Sequence, residues 1–222
     1  FTVQQHLPMR AGLAPGMDVL IHGAAGGIGG AAIQIAKLYG ARPIAVVSTT
    51  DKADYARSLG AVAAINRMSE DFVARTLELT GGKGAERILD VVGGDNLTRN
   101  IEAAAQNGHI VQVSAASGKK SEISAARLMR KWLTISGATL RPQTNEAKAA
   151  IAASLLATAW PALADGRIVP PRLQALPLTA AADAHRALER RETYGKLVLI
   201  TARGEELGLV AHQPAAAGDQ AR

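Results

Sequence analysis

A run of strand character, Asp18-Val19-Leu20-Ile21-His22, passes directly into Gly23-Ala24-Ala25-Gly26-Gly27-Ile28-Gly29 and then into a helical pattern that ends at Leu38. The order strand, glycine turn, helix constrains this chain more than any other feature. A helix N-terminus presents backbone N–H groups and the positive end of the helix dipole, and glycines let a pyrophosphate approach that backbone. Gly26 suits the approach and Gly29 suits close packing of helix on strand. The spacing is G-x-x-G-x-x-G, because Ala24 stands where the stricter G-x-G-x-x-G form has its first glycine. A plain tight turn in an Ala- and Gly-rich chain is the competing reading, and the surrounding pattern decides between them.

That pattern alternates short apolar runs with helical stretches, as successive βαβ units do. The expected strands are Asp18 to His22, Pro43 to Val47, Val62 to Ile65, Arg87 to Val92, His109 to Val113 and Leu133 to Ala138. Between them, Ile28, Ala32, Ile35 and Leu38 mark one face of the first helix. Asp51 to Leu59, Glu70 to Leu79, Leu97 to Ala105 and Ala125 to Trp132 read as the next helices, with Gly40, Gly60, Gly81 and Gly108 as stops. The expected fold is therefore α/β, a doubly wound six-stranded parallel Rossmann domain over 1–142. Over 143–201 the rhythm changes to a long Ala-rich helix, Glu146 to Ala164, then a strand near Leu173, a helix Ala180 to Arg190 and a strand Lys196 to Ile200. This segment lacks a partner sheet on its own, and 202–222 reads as a flexible tail.

Such a domain points to a nicotinamide dinucleotide, and the end of the second strand decides which one. NAD-specific sites place a carboxylate there for the ribose 2′-OH. Here Val46-Val47-Ser48-Thr49-Thr50 offers hydroxyls, with no carboxylate before Asp51, so a 2′-phosphate is not repelled. Lys52 and Arg67 are the cations placed to pair with it, against the commoner fate of solvated surface charge. NADPH is the expected cofactor. Ligands in such sheets lie outside the carboxyl ends of the strands, so Val92, Gly93 and Ser114 should flank the nicotinamide end, against the equal reading that Gly93, Gly94 and Gly118 only make turns.

Composition excludes several other functions. Aromatics make up 3%, too few for a base-stacking module, and the formal charge of +6 is scattered, so no nucleic-acid partner is expected. The absence of cysteine removes disulfides, thiolate zinc sites and a cysteine nucleophile. His6, His22, His109, His185 and His212 are far apart and form no metal constellation, and no G-x-S-x-G elbow occurs. No apolar run reads as long enough to span a bilayer and no leader is visible, so a soluble cytoplasmic protein without a membrane partner is expected. The chain begins with Phe1, which suggests a start part-way through a longer protein.

Phe1-Thr2-Val3, Val19-Leu20-Ile21-His22-Gly23, Leu79-Thr80-Gly81-Gly82, Ile88-Leu89-Asp90-Val91-Val92-Gly93-Gly94, Leu128-Met129-Arg130-Lys131, Gly137-Ala138-Thr139-Leu140-Arg141-Pro142 and Gly195-Lys196-Leu197-Val198-Leu199 occur in that order. Together they resemble the zinc-independent NADPH:quinone oxidoreductases, the zeta-crystallin-like group of the medium-chain dehydrogenase/reductase superfamily. The resemblance implies an N-terminal GroES-like catalytic part that this chain lacks, and it makes the segment after Pro142 a remnant of that domain. It also implies that Thr2 lies against the nicotinamide, that Gly26, Gly27, Ile28 and Gly29 form the pyrophosphate turn, and that Lys52 holds the 2′-phosphate. Ser114, Leu140 and Arg141 would line the nicotinamide end. Two positions depart from the family pattern, Arg67 where a Tyr is common and Ser48 where a Gly is frequent. The implied activity is hydride transfer from NADPH to a quinone or an α,β-unsaturated carbonyl. Alternatives are an enoyl or alkenal reductase of the same superfamily, or a protein that binds NADPH without turnover. No general acid is identified, and a homodimer pairing through Leu133 to Leu140 is expected by the same resemblance.

Overall fold

The computed structural model describes residues 1–118 and 120–206. The chain forms two compact units, Phe1–Val169 and Pro170–Arg222. In the first, six strands make one parallel sheet: β1 (Asp18–His22), β2 (Arg42–Val47), β3 (Ala63–Asn66), β4 (Ala85–Asp90), β5 (Ala104–Gln112) and β6 (Thr134–Gly137). Their order across the sheet is β3-β2-β1-β4-β5-β6, which is the doubly wound arrangement expected.

Burial explains why these segments become strands. Leu20 pairs with Ile44 on one side and Ile88 on the other, and Ile88 with Ile110. With Ile65 these residues form one apolar row, closed by Phe72 and Ile101. The adjacent residues Ile21, Leu89 and Val111 point to the opposite face and are equally buried. Both faces are therefore covered by helices, which is why the strands read as continuous apolar runs.

The helices of this unit are α1 (Thr2–Gln4), which continues into a π-helical turn over Gln5–Arg10, then α2 (Gly27–Leu38), α3 (Thr50–Ser58), α4 (Phe72–Leu79), α5 (Asn96–Ala103), α6 (Ala125–Lys131) and α7 (Asn145–Ala164). α2 buries Ala32, Ile33, Ile35 and Ala36, whereas Ile28 is exposed beside the glycine turn, so the buried face is rotated from the one expected. All six strands being parallel, their carboxyl ends share one edge of the sheet. β1 and β4 are neighbours at the centre, where the winding reverses direction and a crevice opens at that edge.

Several expectations are corrected. The helix expected to run to Ala105 ends at Ala103, because Ala104 already pairs with Ala85 in the sheet. The ladder is then interrupted before resuming at His109, with Asn107 at φ 60° in the gap. The expectation that no apolar segment could span a bilayer does not hold by length and composition: α7 has 20 residues and mean hydropathy 1.3. Many small alanines hid this from a reading of apolar runs. In the fold α7 lies against α1 and α2, burying Ile151 and Ala162, with Ser154 accepting a hydrogen bond from Gln4 at 2.8 Å. It belongs to the compact unit that ends at Val169, beyond the expected division at 142.

The second unit is a small βαβ motif. β7 (Leu173–Pro177) leads through a 3-10 turn into α8 (Ala181–Glu189) and then β8 (Lys196–Ile200). The two strands pair with each other in parallel, Leu173 opposite Lys196, so the segment expected to lack a partner sheet supplies its own. The expected tail starts instead with a helix, α9 (Ala202–Glu206), whose first turn is held by the Gly204 N–H donating to the Thr201 carbonyl at 2.8 Å. Residues 207–222 of that expected tail lie outside the described residues.

Candidate functional site

The crevice begins at the glycine turn. Gly23 leaves β1 at φ +61°, a left-handed conformation that an L side chain strains to adopt. The chain then reverses, with the Gly26 N–H donating to the Gly23 carbonyl at 2.9 Å, and Gly26 becomes the N-cap of α2. A Cβ on Gly29 would meet the Gly23 carbonyl and lie 2.5 Å from Ala24 Cα, so only glycine lets the helix sit this close to the strand. No side chain caps α2, although α3, α4 and α7 are capped by Thr49, Asp71 and Thr144. Its first-turn N–H groups and positive dipole end thus face the crevice. A pyrophosphate fits this cradle by charge and by the space the glycines leave.

One strand away, Ser48 and Thr49 follow the end of β2. Thr49 Oγ1 accepts from the Lys52 backbone N–H at 3.3 Å, fixing the first turn of α3. This places Lys52 with its stem buried and its Nζ donating to Ser48 Oγ at 3.3 Å. The backbone N–H of Arg67 donates to the Val47 carbonyl at 3.0 Å, so the exposed Arg67 side chain leaves the sheet beside the same strand end. The expected residues Ser48, Thr49, Lys52 and Arg67 are thereby gathered at one corner. Asp51, the nearest carboxylate in sequence, is exposed in the first turn of α3.

On the other side of β1, Val92 and Gly93 follow β4, and Ser114 follows β5. Gly93 has φ +75°, and a Cβ there would lie 2.7 Å from Ala115 Cα, so the two loops are in close contact. Leu140 and Arg141 follow β6 at the same edge, in a turn closed by the Gln143 N–H donating to the Leu140 carbonyl at 3.1 Å. Thr2 is half-buried on α1, which packs against α2.

Beneath these loops lies a buried polar chain that sequence reasoning missed. His22, at the end of β1, is 2% exposed. Its Nε2 is 2.8 Å from Asn100 Oδ1 and its Nδ1 is 3.2 Å from Asn96 Nδ2. Asn100 Nδ2 donates in turn to Asp90 Oδ2 at 2.9 Å. Asp90 Oδ1 accepts from the backbone N–H groups of Val92 at 2.6 Å and Gly93 at 3.0 Å. A neutral imidazole carrying its proton on Nε2 satisfies both ring nitrogens with these partners. Burial lowers the His22 pKa from its ordinary value, outweighing the opposite pull of Asp90, and the cations Arg99 and Arg67 push the same way as burial. Phe72 meets the imidazole edge to face at 4.8 Å. No metal-binding group of three or more His, Cys, Asp or Glu occurs among the described residues.

Residues 27–156 match the family described as zinc-binding dehydrogenase. The 2-haloacrylate reductase of a Burkholderia species is 32% identical over 202 residues, covering 90% of this chain and 60% of that protein. A quinone oxidoreductase structure from Pseudomonas syringae pv. Tomato DC3000 superposes with TM-score 0.78 at 33% identity, over 89% of this chain and 61% of that one. The Escherichia coli quinone oxidoreductase solved with NADPH superposes with TM-score 0.76 at 31% identity, over 90% and 63%. The chain spans about 60% of the length of the 2-haloacrylate reductase and of the bacterial quinone oxidoreductases it matches. With its sheet order, glycine turn and motif series, the chain belongs to the zinc-binding dehydrogenase family of the medium-chain dehydrogenase/reductases and is similar there to the quinone oxidoreductases.

Proposed function

We propose that this chain is the dinucleotide-binding part of an NADPH-dependent oxidoreductase whose acceptor is a quinone or an α,β-unsaturated carbonyl compound. The observation that carries the cofactor reading is the Lys52 ammonium held against Ser48 at the end of β2, where an NAD site would have a carboxylate. A 2′-phosphate at that corner meets a cation and two hydroxyls. When bound, the reduced nicotinamide supplies the hydride. The first turn of α2 holds the pyrophosphate, and the loops after β4 and β5 flank the far end of the cleft. His22 has both ring nitrogens committed to Asn100 and Asn96, so it orients its neighbours and transfers no proton.

Similarity to the quinone oxidoreductases supports a quinone acceptor, and similarity to the 2-haloacrylate reductase favours a second reading, reduction of an unsaturated carboxylate.

Titration with NADPH and with NADH tests the cofactor reading. NADPH should bind more tightly, and Lys52→Ala should weaken NADPH about tenfold or more while leaving NADH unchanged, because a charge-assisted contact is lost. Arg67→Ala should act in the same direction and less strongly. Equal affinity of the wild type for both cofactors refutes the preference. NADPH oxidation with quinone and 2-haloacrylate acceptors, assayed with this chain beside a version joined to an upstream GroES-like domain, then separates the two activities, and binding without turnover in both versions favours a binding-only role.

A further inference from the structure

Two loops at the cleft are tied to each other and to one buried carboxylate. The Val92 and Gly93 N–H groups are held by Asp90 Oδ1. Their carbonyls are held from the next loop: the Ser117 N–H donates to the Val92 carbonyl at 2.9 Å, and the Ser117 hydroxyl lies 2.7 Å from the Gly93 carbonyl. Ser121 Oγ donates to the Gly94 carbonyl at 2.8 Å. The Asp90 carbonyl itself accepts from the Val113 N–H at 2.7 Å, where that second loop leaves β5. Asp90 is fully buried, as is Asn100, and through Asn100 and His22 the same carboxylate reaches the strand end from which the glycine turn departs.

The bonds also run in one direction. Asn96 donates to His22 Nδ1, His22 Nε2–H donates to Asn100 Oδ1, and Asn100 Nδ2 donates to Asp90 Oδ2. An acceptor-only group must end such a series, and a carboxylate is one. An amide at 90 would present its NH2 group to the Asn100 NH2 group. The clash is relieved when the amide at 90 turns over and releases the Val92 and Gly93 N–H groups; the other escape, reversal of Asn100, the His22 tautomer and Asn96 together, would leave those two amides held.

We propose that Asp90 is the positioning residue of the cleft, locking the β4 and β5 loops to each other so that the nicotinamide half of the cofactor meets a preformed wall. The assignment rests on the NADPH reading above. Asp90 touches no cofactor atom by this account; it acts through the backbone of Val92 and Gly93. The adenosine corner at Ser48 and Lys52 lies on the opposite side of β1 and stays outside its reach.

The test uses the full chain, Asp90→Asn, and the exchanged pair Asp90→Asn with Asn100→Asp. The exchange restores every bond, since an aspartate at 100 accepts from both His22 Nε2–H and the new amide at 90. Amide hydrogen exchange without ligand should show Val92, Gly93 and Ser117 losing protection in Asp90→Asn and regaining it in the exchanged pair. Binding of NADPH should fall about tenfold in Asp90→Asn, while binding of 2′,5′-ADP, which carries only the adenosine half, stays at the wild-type value. The exchanged pair should recover NADPH affinity. Unchanged protection of the three amides, or an equal loss for both ligands, overturns the assignment. If wild-type chain binds 2′,5′-ADP and NADPH equally well, Asp90 has no nicotinamide half to position and the assignment fails while the cofactor reading stands. If the wild type binds neither ligand, the cofactor reading falls and this one with it.

Discussion

Replacing Gly29 by alanine adds one methyl group at the closest approach of helix and strand in the molecule's candidate site. The new Cβ would contact the Gly23 carbonyl and stand 2.5 Å from Ala24 Cα and 2.9 Å from its carbonyl carbon. These are backbone atoms of the turn, which no rotamer change can move aside. Restoring ordinary contact requires the first turn of α2 to retreat by about 1 Å, since carbon atoms pack at about 3.5 Å or more. Alanine is worth about 0.5–1 kcal/mol more than glycine within a helix, and overpacking of this kind costs about 1–3 kcal/mol. The net loss is up to about 2.5 kcal/mol, a fall in Tm of up to about 10 °C for a chain of this size. Gly30→Ala is the control, because its Cβ would meet a side-chain methyl of Leu59 at 3.1 Å and backbone only at 4.0 Å, the Ala24 carbonyl oxygen. That variant should keep or slightly raise the wild-type Tm. Scanning calorimetry, paired with NADPH titration, measures both effects. A Gly29→Ala protein as stable as Gly30→Ala, with unaltered NADPH binding, would refute the claim that the turn is set by this contact.

Acid sensitivity is the second expectation. Burial holds His22 below its ordinary value of 6.5, so between those limits the unfolded chain binds a proton that the folded one does not. His22's contribution is full above about pH 6.5 and is lost as pH falls toward the folded value, at up to about 1.4 kcal/mol per pH unit. His6 and His109, also lowered chiefly by burial, act in the same direction. His22→Gln should flatten the urea-unfolding stability profile below pH 6.5 relative to wild type, and an unaltered slope would count against the buried neutral imidazole. A third expectation concerns Lys131, whose Nζ donates to the carbonyls of Ile101, Glu102 and Ala104 at 3.0, 2.7 and 2.8 Å. Lys131→Met keeps the stem but strips the end of α5 of its cation, and should cost about 1–2 kcal/mol in urea unfolding; no loss would mean that water replaces the ammonium freely.

The sheet was legible because both of its faces are buried, which leaves uninterrupted apolar runs such as Val19 to Ile21 and Ile88 to Leu89. The local geometry of Gly26, Gly29 and Lys52 was legible because close sequence neighbours set it: a turn, a cap, a first helical turn. The His22 chain was not. Its members come from β1, β4 and α5, and only the sheet order makes β1 and β4 adjacent. Five histidines scattered along the chain give no pattern, and nothing local to His22 revealed the partners that topology provides. The end of α5 was misplaced for a related reason. Ala103, Ala104 and Ala105 favour helix by propensity, while pairing of Ala104 with Ala85 takes the second of them into the sheet. In the C-terminal unit, β7 and β8 looked partnerless because pairing across the intervening α8 cannot be read from either strand alone.

The uncapped start of α2 has a thermodynamic consequence. A helix whose start is capped by its own Thr or Asp completes its electrostatics on folding, but α2 leaves that completion to an anion from outside. Under the NADPH reading, part of the folding free energy of this protein then resides in solution. At a hundred times the dissociation constant a ligand adds about 2.7 kcal/mol to the native state. Under the same reading, depletion of the dinucleotide in both its oxidation states would do more than leave the cleft empty. It would shorten the life of the protein itself, making its abundance a readout of the dinucleotide pool.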